Sequence, residues 1–380
     1  MAISIRSIET AVPDTELKQG EIRDLFAAQP GRTRLAQRQI AAVFDAAAID
    51  TRHTVVDELD QQPREGAPVF YDAAAGKLLA PTTGVRNDVY AERSPALFLA
   101  AARRALAAAP GIEAPDVTHV VTVSCTGFFA PGPDYAIVRE LGLAPSTQRY
   151  HLGFMGCYAA FPALRAARAF CASDPGAVVL VVCIELCSIH LHASDDPDTI
   201  VASSVFADGA AAAVVTGRET PGANQHPRLD LDAFDSALIP TGEADMAWTI
   251  GDQGFDMVLS RYVPGIIGEH IVAGLAPLLA SDPELAGRPA ADVDLWAVHP
   301  GGRSILDKVQ HALGLSDGQL APSRATLRED GNMSSATVLF VLRRLLHGEG
   351  GGPPDARVGA MAFGPGLTVE SALLTRRAPR

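Results

Sequence analysis

The sequence is short of what a stapled, exported or nucleic-acid-binding chain needs. Its five cysteines, at 125, 157, 171, 183 and 187, are odd in number and lack the spacing of a disulfide framework. Cys183 and Cys187 fall on one helical face, but nothing beside them completes a zinc pattern, so they read as core and no metal is expected. A reducing, cytoplasmic setting fits that usage. Positive charge is scarce as well: 31 Lys and Arg stand against 44 Asp and Glu, a formal net charge of −13. That balance argues against nucleic acid or an anionic membrane surface as a partner. Residues 1–6 have no basic flank leading into an apolar segment, so no signal peptide is read there. The apolar run 177–191 contains Glu185 and is too short for a bilayer, so no integral membrane segment is expected.

What is there is a hydrophobic fraction of 48% with 20% charged residues over 380 positions, enough for a large core or two fused domains. The organising stretch is Gly153-Phe-Met-Gly-Cys157, followed by an Ala-rich helix with Phe161, Leu164 and Ala167 at helical spacing. A thiol at a helix start faces unpaired N–H groups and the positive end of the helix dipole, which favour thiolate. The alternative is that Cys157 is a small core residue, as free cysteines often are.

Along the chain, residues 1–60 read as a short strand and basic helical segments, and 61–90 as a meandering surface connection. A helix over 94–109, a strand over 117–125, a helix over 133–141 and a buried strand over 177–183 follow. Residues 203–215 read as a glycine turn running into an apolar strand. The order then repeats: a strand ends at His299-Pro-Gly-Gly302, a glycine precedes Asn332 and an Ala/Leu/Arg helix, and Phe363-Gly-Pro-Gly366 leads into a last strand. Cys157 lies 32 residues after Cys125 and Asn332 lies 33 after His299, so the pattern predicts two duplicated α/β halves, 1–230 and 231–380. Under a pseudo-twofold axis Cys157 and Asn332 are equivalent helix starts, with His299 on a neighbouring strand end.

Cysteine, histidine and asparagine so placed form a coherent catalytic set. His299 can accept the Cys157 proton, and His and Asn donors can hold a thioester carbonyl as an enolate forms. Each also has a plain structural reading: His299 as a strand terminator, Asn332 as an N-cap.

Gly-Cys157, His299-Pro-Gly-Gly, Gly-Asn332-Met-Ser-Ser and Phe-Gly-Pro-Gly366, in that order over nearly the whole chain, closely resemble the type III polyketide synthases, the chalcone-synthase-like family. The resemblance implies a five-layered αβαβα thiolase-type fold, a homodimer and a Cys-His-Asn triad. It implies that Cys157 carries the acyl and growing chain while His299 and Asn332 assist decarboxylation of malonyl-CoA. Phe206 matches the family's gatekeeper between a CoA tunnel and the cavity. No cofactor beyond the thioester substrates is implied.

Other positions depart from the plant pattern. Met257 replaces a second gatekeeper phenylalanine, Cys125 and Cys187 replace cavity threonines, and Ala130 stands where a methionine reaches into the partner's cavity. Trp248 replaces a cavity glycine, where an indole narrows the elongation space; its alternative is packing outside the cavity. The stretch 246–255, with Gly153-Phe-Met-Gly-Cys and Phe206-Ala-Asp-Gly, resembles the bacterial alkylpyrone and alkylresorcinol synthases. The expectation is a fatty acyl-CoA starter of medium or long chain extended by malonyl-CoA to alkyl α-pyrones, with resorcinols secondary and acyl donation by a fatty acid synthase an open route. Arg52, Arg38 and Arg303 are candidates for the CoA phosphates. The rivals are a malonyl-only synthase of tetrahydroxynaphthalene or dihydroxyphenylacetate type, an initiating ketoacyl-carrier-protein synthase, and a non-catalytic thiolase-fold partner.

Overall fold

The computed structural model describes residues 2–380. Its first half runs β1 (Ser4–Ala11), β2 (Thr15–Lys18), α1 (Gln19–Ala27), α2 (Arg34–Ala46), β3 (Thr51–Thr54), β4 (Tyr71–Asp72), β5 (Lys77–Leu78), α3 (Thr83–Ala107), β6 (His119–Ser124), α4 (Pro133–Glu140), β7 (Gln148–Gly153), α5 (Ala160–Ser173), β8 (Val178–Leu186), α6 (Pro197–Val205) and β9 (Asp208–Thr216). The second runs β10 (Arg228–Leu238), β11 (Met246–Gly251), β12 (Gly254–Leu259), α7 (Val263–Ala280), β13 (Leu295–Val298), α8 (Arg303–Leu313), α9 (Asp317–Asp330), α10 (Thr337–Leu346), β14 (Ala356–Gly364) and β15 (Thr368–Arg377).

Nine strands form one sheet in the order β13-β14-β15-β10-β1-β9-β8-β6-β7. Reading outward from its middle, β1-β9-β8-β6 and β10-β15-β14-β13 follow the same rule. In each, two antiparallel pairings are followed by a parallel one. The halves meet where β1 pairs antiparallel with β10, Ser4 opposite Asp230 and Ile5 opposite Leu229. This is the duplication expected from the spacing, and it makes β6 the counterpart of β13 and α5 the counterpart of α10.

Burial explains the layers. All nine residues of β8 are buried, as are all nine of β9, so both faces of the sheet are covered and the strands read as continuous apolar runs. A central core gathers α5 and α10 between the inner faces of the two half-sheets. A second core lies under α1, α2, α3 and α4, and a third under α7, α8 and α9. The result is the five-layered thiolase-type arrangement. The second half has no counterpart of β7. Four of the six β7 residues are exposed at the sheet's open edge, whereas β13 at the other edge is wholly buried. There the Val298 amide donates to Ser323 Oγ of α9 at 3.1 Å.

Three segments differ from the sequence reading. The stretch 61–90 is not a connection throughout, because α3 begins at Thr83, where the Thr82 hydroxyl caps the Val85 amide and Arg86 and Tyr90 are buried. Ser94-Pro95 resembles a helix start and so hid the three turns before it. Residues 203–205 end α6 rather than begin a turn. The most apolar helix is α7, 18 residues of mean hydropathy 1.5. By length and composition it passes for a membrane span, but Val263, Ile267, Ile271, Leu275, Leu278 and Leu279 face the core at helical spacing.

Trp296, fully buried on β13, lies against Gly359 of β14, where an added Cβ would come within 2.6 Å of the indole. Gly359→Ala is therefore expected to destabilise by about 1–3 kcal/mol, read as a lowered melting temperature.

Candidate active site

The turn before α5 delivers Cys157 to a cavity of about 620 Å³. Gly156 has φ +83°, and a Cβ there would strike the Pro365 ring at 2.3 Å. On the other side of that contact, a Cβ at Gly364 would come within 2.4 Å of the Tyr158 ring. The Phe-Gly-Pro-Gly loop of the second half thus packs directly on the nucleophile turn of the first. Cys125, at the end of β6, accepts the Gly156 amide on its sulfur at 3.0 Å.

His299 follows β13, its amide donating to Met361 O at 2.8 Å. The ring is 1% exposed and neither nitrogen has a partner, so the imidazole is free to serve whatever enters the cavity it lines. Asn332 lies between α9 and α10. Its Oδ1 accepts from the Ser334 amide at 2.9 Å and its Nδ2 donates to Gly301 O at 3.3 Å. The Oδ1 bond closes a turn two residues long rather than capping α10, whose N-cap is Ala336, and Asn332 lines the cavity with Cys157 and His299.

Burial pushes the Cys157 thiol up to about 11, against the helix-start expectation, while contacts with the Ser334 and Asn332 side chains favour the thiolate less strongly. Burial also drives the His299 imidazole down to about 3. Neither an isolated thiolate nor an isolated imidazolium is favoured here. A proton moved from sulfur to imidazole leaves net charge unchanged, and the two groups line one cavity.

The family models for the N-terminal and C-terminal domains of chalcone and stilbene synthases match residues 2–219 and 230–378. The chain belongs to the chalcone and stilbene synthase family. It is a type III polyketide synthase, an acyltransferase-type condensing enzyme. It is 33% identical over 372 residues to the alpha-pyrone synthesis polyketide synthase-like Pks18 of Mycobacterium tuberculosis, covering 97% of this chain and 90% of that one. PKS-I of the brown alga Ectocarpus siliculosus superposes with a TM-score of 0.87 at 32% identity, covering 98% of each chain. The 1,3,6,8-tetrahydroxynaphthalene synthase of Streptomyces coelicolor A3(2) does so with 0.84 at 30% identity, covering 99% of this chain and all of the other.

In this type III synthase Phe206, Cys125, Cys187, Trp248 and Met257 also line the cavity. Trp248 and Met257 stand opposite each other on the β11–β12 hairpin, and the Trp248 indole donates to Cys125 O at 3.0 Å. The indole is thus a cavity wall and not a packing residue elsewhere. Gly366 turns the loop with φ +71° while its neighbour Pro365 does the lining. Ala130 is exposed and does not line the Cys157 cavity. A second chamber of about 470 Å³ shares Cys187, Phe206, Trp248 and Met257 with the first and runs between α6 and β12 toward Thr199 and Asp256.

A groove outside the cavity shares Leu259, Gly301 and Ile305 with it and is walled by α2, the start of α7 and α8. Of the three arginines expected at the phosphates, only Arg303 lines that groove, 57% exposed and paired with Asp307 at 3.5 Å. Arg38 is exposed on α2 away from it. Arg52 is a correction: it is 2% exposed and its guanidinium holds two backbone carbonyls, so it cannot reach a phosphate. Arg261 and Lys308 line the groove instead, missed because neither stands beside a motif.

Sequence reading also missed Glu185. It is wholly buried and accepts from the Cys125 amide, Thr126 Oγ1 and Ser335 Oγ, with burial raising its carboxyl to about 7. The signal was a lone carboxylate in an otherwise apolar run. Among the described residues no cluster of metal-ligating side chains occurs.

If the thiolate forms by proton transfer to His299, His299→Gln moves the pH profile of Cys157 alkylation by iodoacetamide upward, toward the value of about 11 that burial sets. An unchanged profile would show that the thiol ionises without the imidazole.

Proposed function

We propose that this synthase loads a medium- or long-chain fatty acyl-CoA, extends it with two or three malonyl units and releases mainly alkyl α-pyrones, with alkylresorcinols secondary. The observation that carries this reading is the Trp248–Met257 wall. It narrows the elongation space beside Cys157, while the chamber behind it offers an alkyl tail a separate place to lie. The mainly apolar Cys157 cavity favours alkyl burial by about 0.8 kcal/mol per CH₂, whereas the chamber behind it sets Phe255 and Leu191 beside His190, Thr199 and Asp256. The likeness to an enzyme named for alpha-pyrone synthesis supports it.

In the reaction so proposed, Cys157 passes its proton to His299 and attacks the starter thioester, and the departing CoA thiolate takes that proton back. Malonyl-CoA loses CO₂, and the electron pair moves onto its thioester oxygen, held by His299 and the Asn332 amide. The enolate carbon attacks the acyl group on Cys157 and frees the thiolate, giving a CoA ester two carbons longer that reloads. After two extensions the enol oxygen on carbon 5 attacks the thioester carbonyl, closes a six-membered lactone and expels the thiolate, which takes the enol proton. Phe206 stands between the Cys157 cavity and the second chamber, and the groove that joins the cavity at Leu259, Gly301 and Ile305 offers Arg261, Arg303 and Lys308 to CoA phosphates. No cofactor enters these steps. We place the enzyme in the cytoplasm, which its five free cysteines suit. It acts as a homodimer, supported by the exposed aromatics Phe128, Tyr135 and Tyr150 beside the open β7 edge.

Purified protein with a series of acyl-CoA starters and malonyl-CoA, read by mass spectrometry, tests this. Alkyl pyrones should peak at medium or long starters, and Cys157→Ala should lower their formation about a thousandfold or more. Trp248→Gly should shift output toward longer, ring-closed carbocyclic products at similar total turnover. A pentaketide naphthalene from malonyl-CoA alone would overturn the starter, and condensation only with a carrier protein would overturn the CoA route.

A further inference from the structure

Arg52, excluded from the phosphate role, sits on β3 directly behind the cavity wall. Its Nη1 donates to both Ser203 O at 2.8 Å and Phe206 O at 2.7 Å. These carbonyls close α6, whose end carries Phe206 into the cavity. Two backbone hydrogen bonds flank Phe206: the Asn332 amide donates to Val205 O and the Ala207 amide to Asn332 O, each at 2.9 Å. Phe206 and Asn332 are thereby joined by an isolated parallel bridge. The stem of Arg52 abuts the other side of that bridge. Gly331 has φ +74°, and a Cβ there would lie 3.2 Å from Arg52 Cγ, 3.1 Å from Ala207 Cβ and 3.2 Å from Val205 O.

Stability alone does not account for this side chain. Nε and Nη2 are buried without partners. The nearby Asp208 carboxylate gives its oxygens to the Val55 and Ser188 amides and the Ser188 hydroxyl rather than to the guanidinium. A buried charge so thinly paired is less favourable than an apolar side chain of its volume. What the guanidinium supplies is direction, two bonds from one planar nitrogen that fix the last turn of α6.

We propose that Arg52 is a positioning residue that couples starter selection to enolate formation. By holding the carbonyls of Ser203 and Phe206 it sets, through the Phe206–Asn332 bridge, both the angle of the Phe206 ring and the place of the Asn332 amide. The inference rests on the roles given above to Phe206 and Asn332, so its test carries controls for each.

The full chain is prepared as Arg52→Met and Arg52→Lys, with circular dichroism and melting temperature confirming the fold. Two readouts follow: CO₂ release from malonyl-CoA without a starter, and kcat and KM across short, medium and long acyl-CoA starters. The expected result is a joint change in Arg52→Met, with decarboxylation falling about tenfold or more and the ratio of kcat/KM between starters flattening. Arg52→Lys, which keeps the charge and one donor, should recover part of both. A merely structural role would lower the melting temperature and leave the starter ratio where it was. Folded Arg52→Met with both readouts within about twofold of the unaltered enzyme overturns the proposal.

Phe206→Ala and Asn332→Ala run alongside. With Asn332→Ala defective in decarboxylation, a change in only one readout of Arg52→Met overturns the coupling. With Asn332→Ala intact, the role given to Asn332 fails by itself, and the starter ratio decides Arg52. Should neither Arg52 variant accumulate, Gly331→Ala presses on the same bridge from the Asn332 side. The joint change is expected there too, and unchanged readouts overturn the proposal.

Discussion

Two residue pairs, Ser4 with Asp230 and Ile5 with Leu229, join the half-sheets, and the place of every reactive group follows from that join. Ser4 Oγ donates to Asp230 Oδ1 at 2.6 Å in a buried contact, so the seam is held by side chains as well as backbone. Once β1 and β10 lie side by side, the rule of strand order runs outward in both directions and brings the ends of β6 and β13 to the same level. The starts of α5 and α10 meet between them. Cys125, Cys157, His299 and Asn332 are contributed by two halves that share almost no residue identities, yet the cavity needs no long loop to collect them.

The second constraint is dryness. The imidazole has no hydrogen-bond partner and the thiol is held un-ionised by burial, so the resting site carries no reactive charge. In the reaction proposed above, charge enters it as a thiolate–imidazolium pair. The walls obey the same logic. Their polar groups are turned to one another, with Trp248 donating to Cys125 O and Glu185 gathering Cys125, Thr126 and Ser335. The surface left for a substrate is alkyl and aromatic.

Much of this was legible in the sequence, and for a physical reason. Glycine turns beside Cys157, His299 and Asn332 mark places where backbone must approach backbone, and such needs survive as residue identity. The near-equal spacing from strand end to helix start is filled by α4 and β7 in one half and by α8 and α9 in the other, so the duplication was read from the interval and not from matching pieces. Trp248 and Met257 stand on a hairpin whose strands pair in unbroken register, so a count along it keeps its place. What failed was anything that depends on where a long side chain goes. Arg52 and Arg303 look alike in sequence, but one points into the protein from β3 and the other lies on the rim of a groove. The groove's other cations, Arg261 and Lys308, come from the loop before α7 and the middle of α8, which only packing brings together. The first turns of α3 were lost because Ser94-Pro95 imitates a cap in the middle of a helix.

The two ends of the nine-stranded sheet are unlike, and this bears on how many copies can assemble. At the β13 end the last amide is already bonded to Ser323 and the strand is buried. At the β7 end the backbone is open and bordered by aromatics. A chain with two open edges can add copies without limit and grow into a fibre. A chain with one can be satisfied once, by a second copy turned to present the same edge, after which neither has anything left to offer. The missing fifth strand of the second half is thus a stop signal. It leaves the sheet a single open edge, which fits the homodimer proposed above.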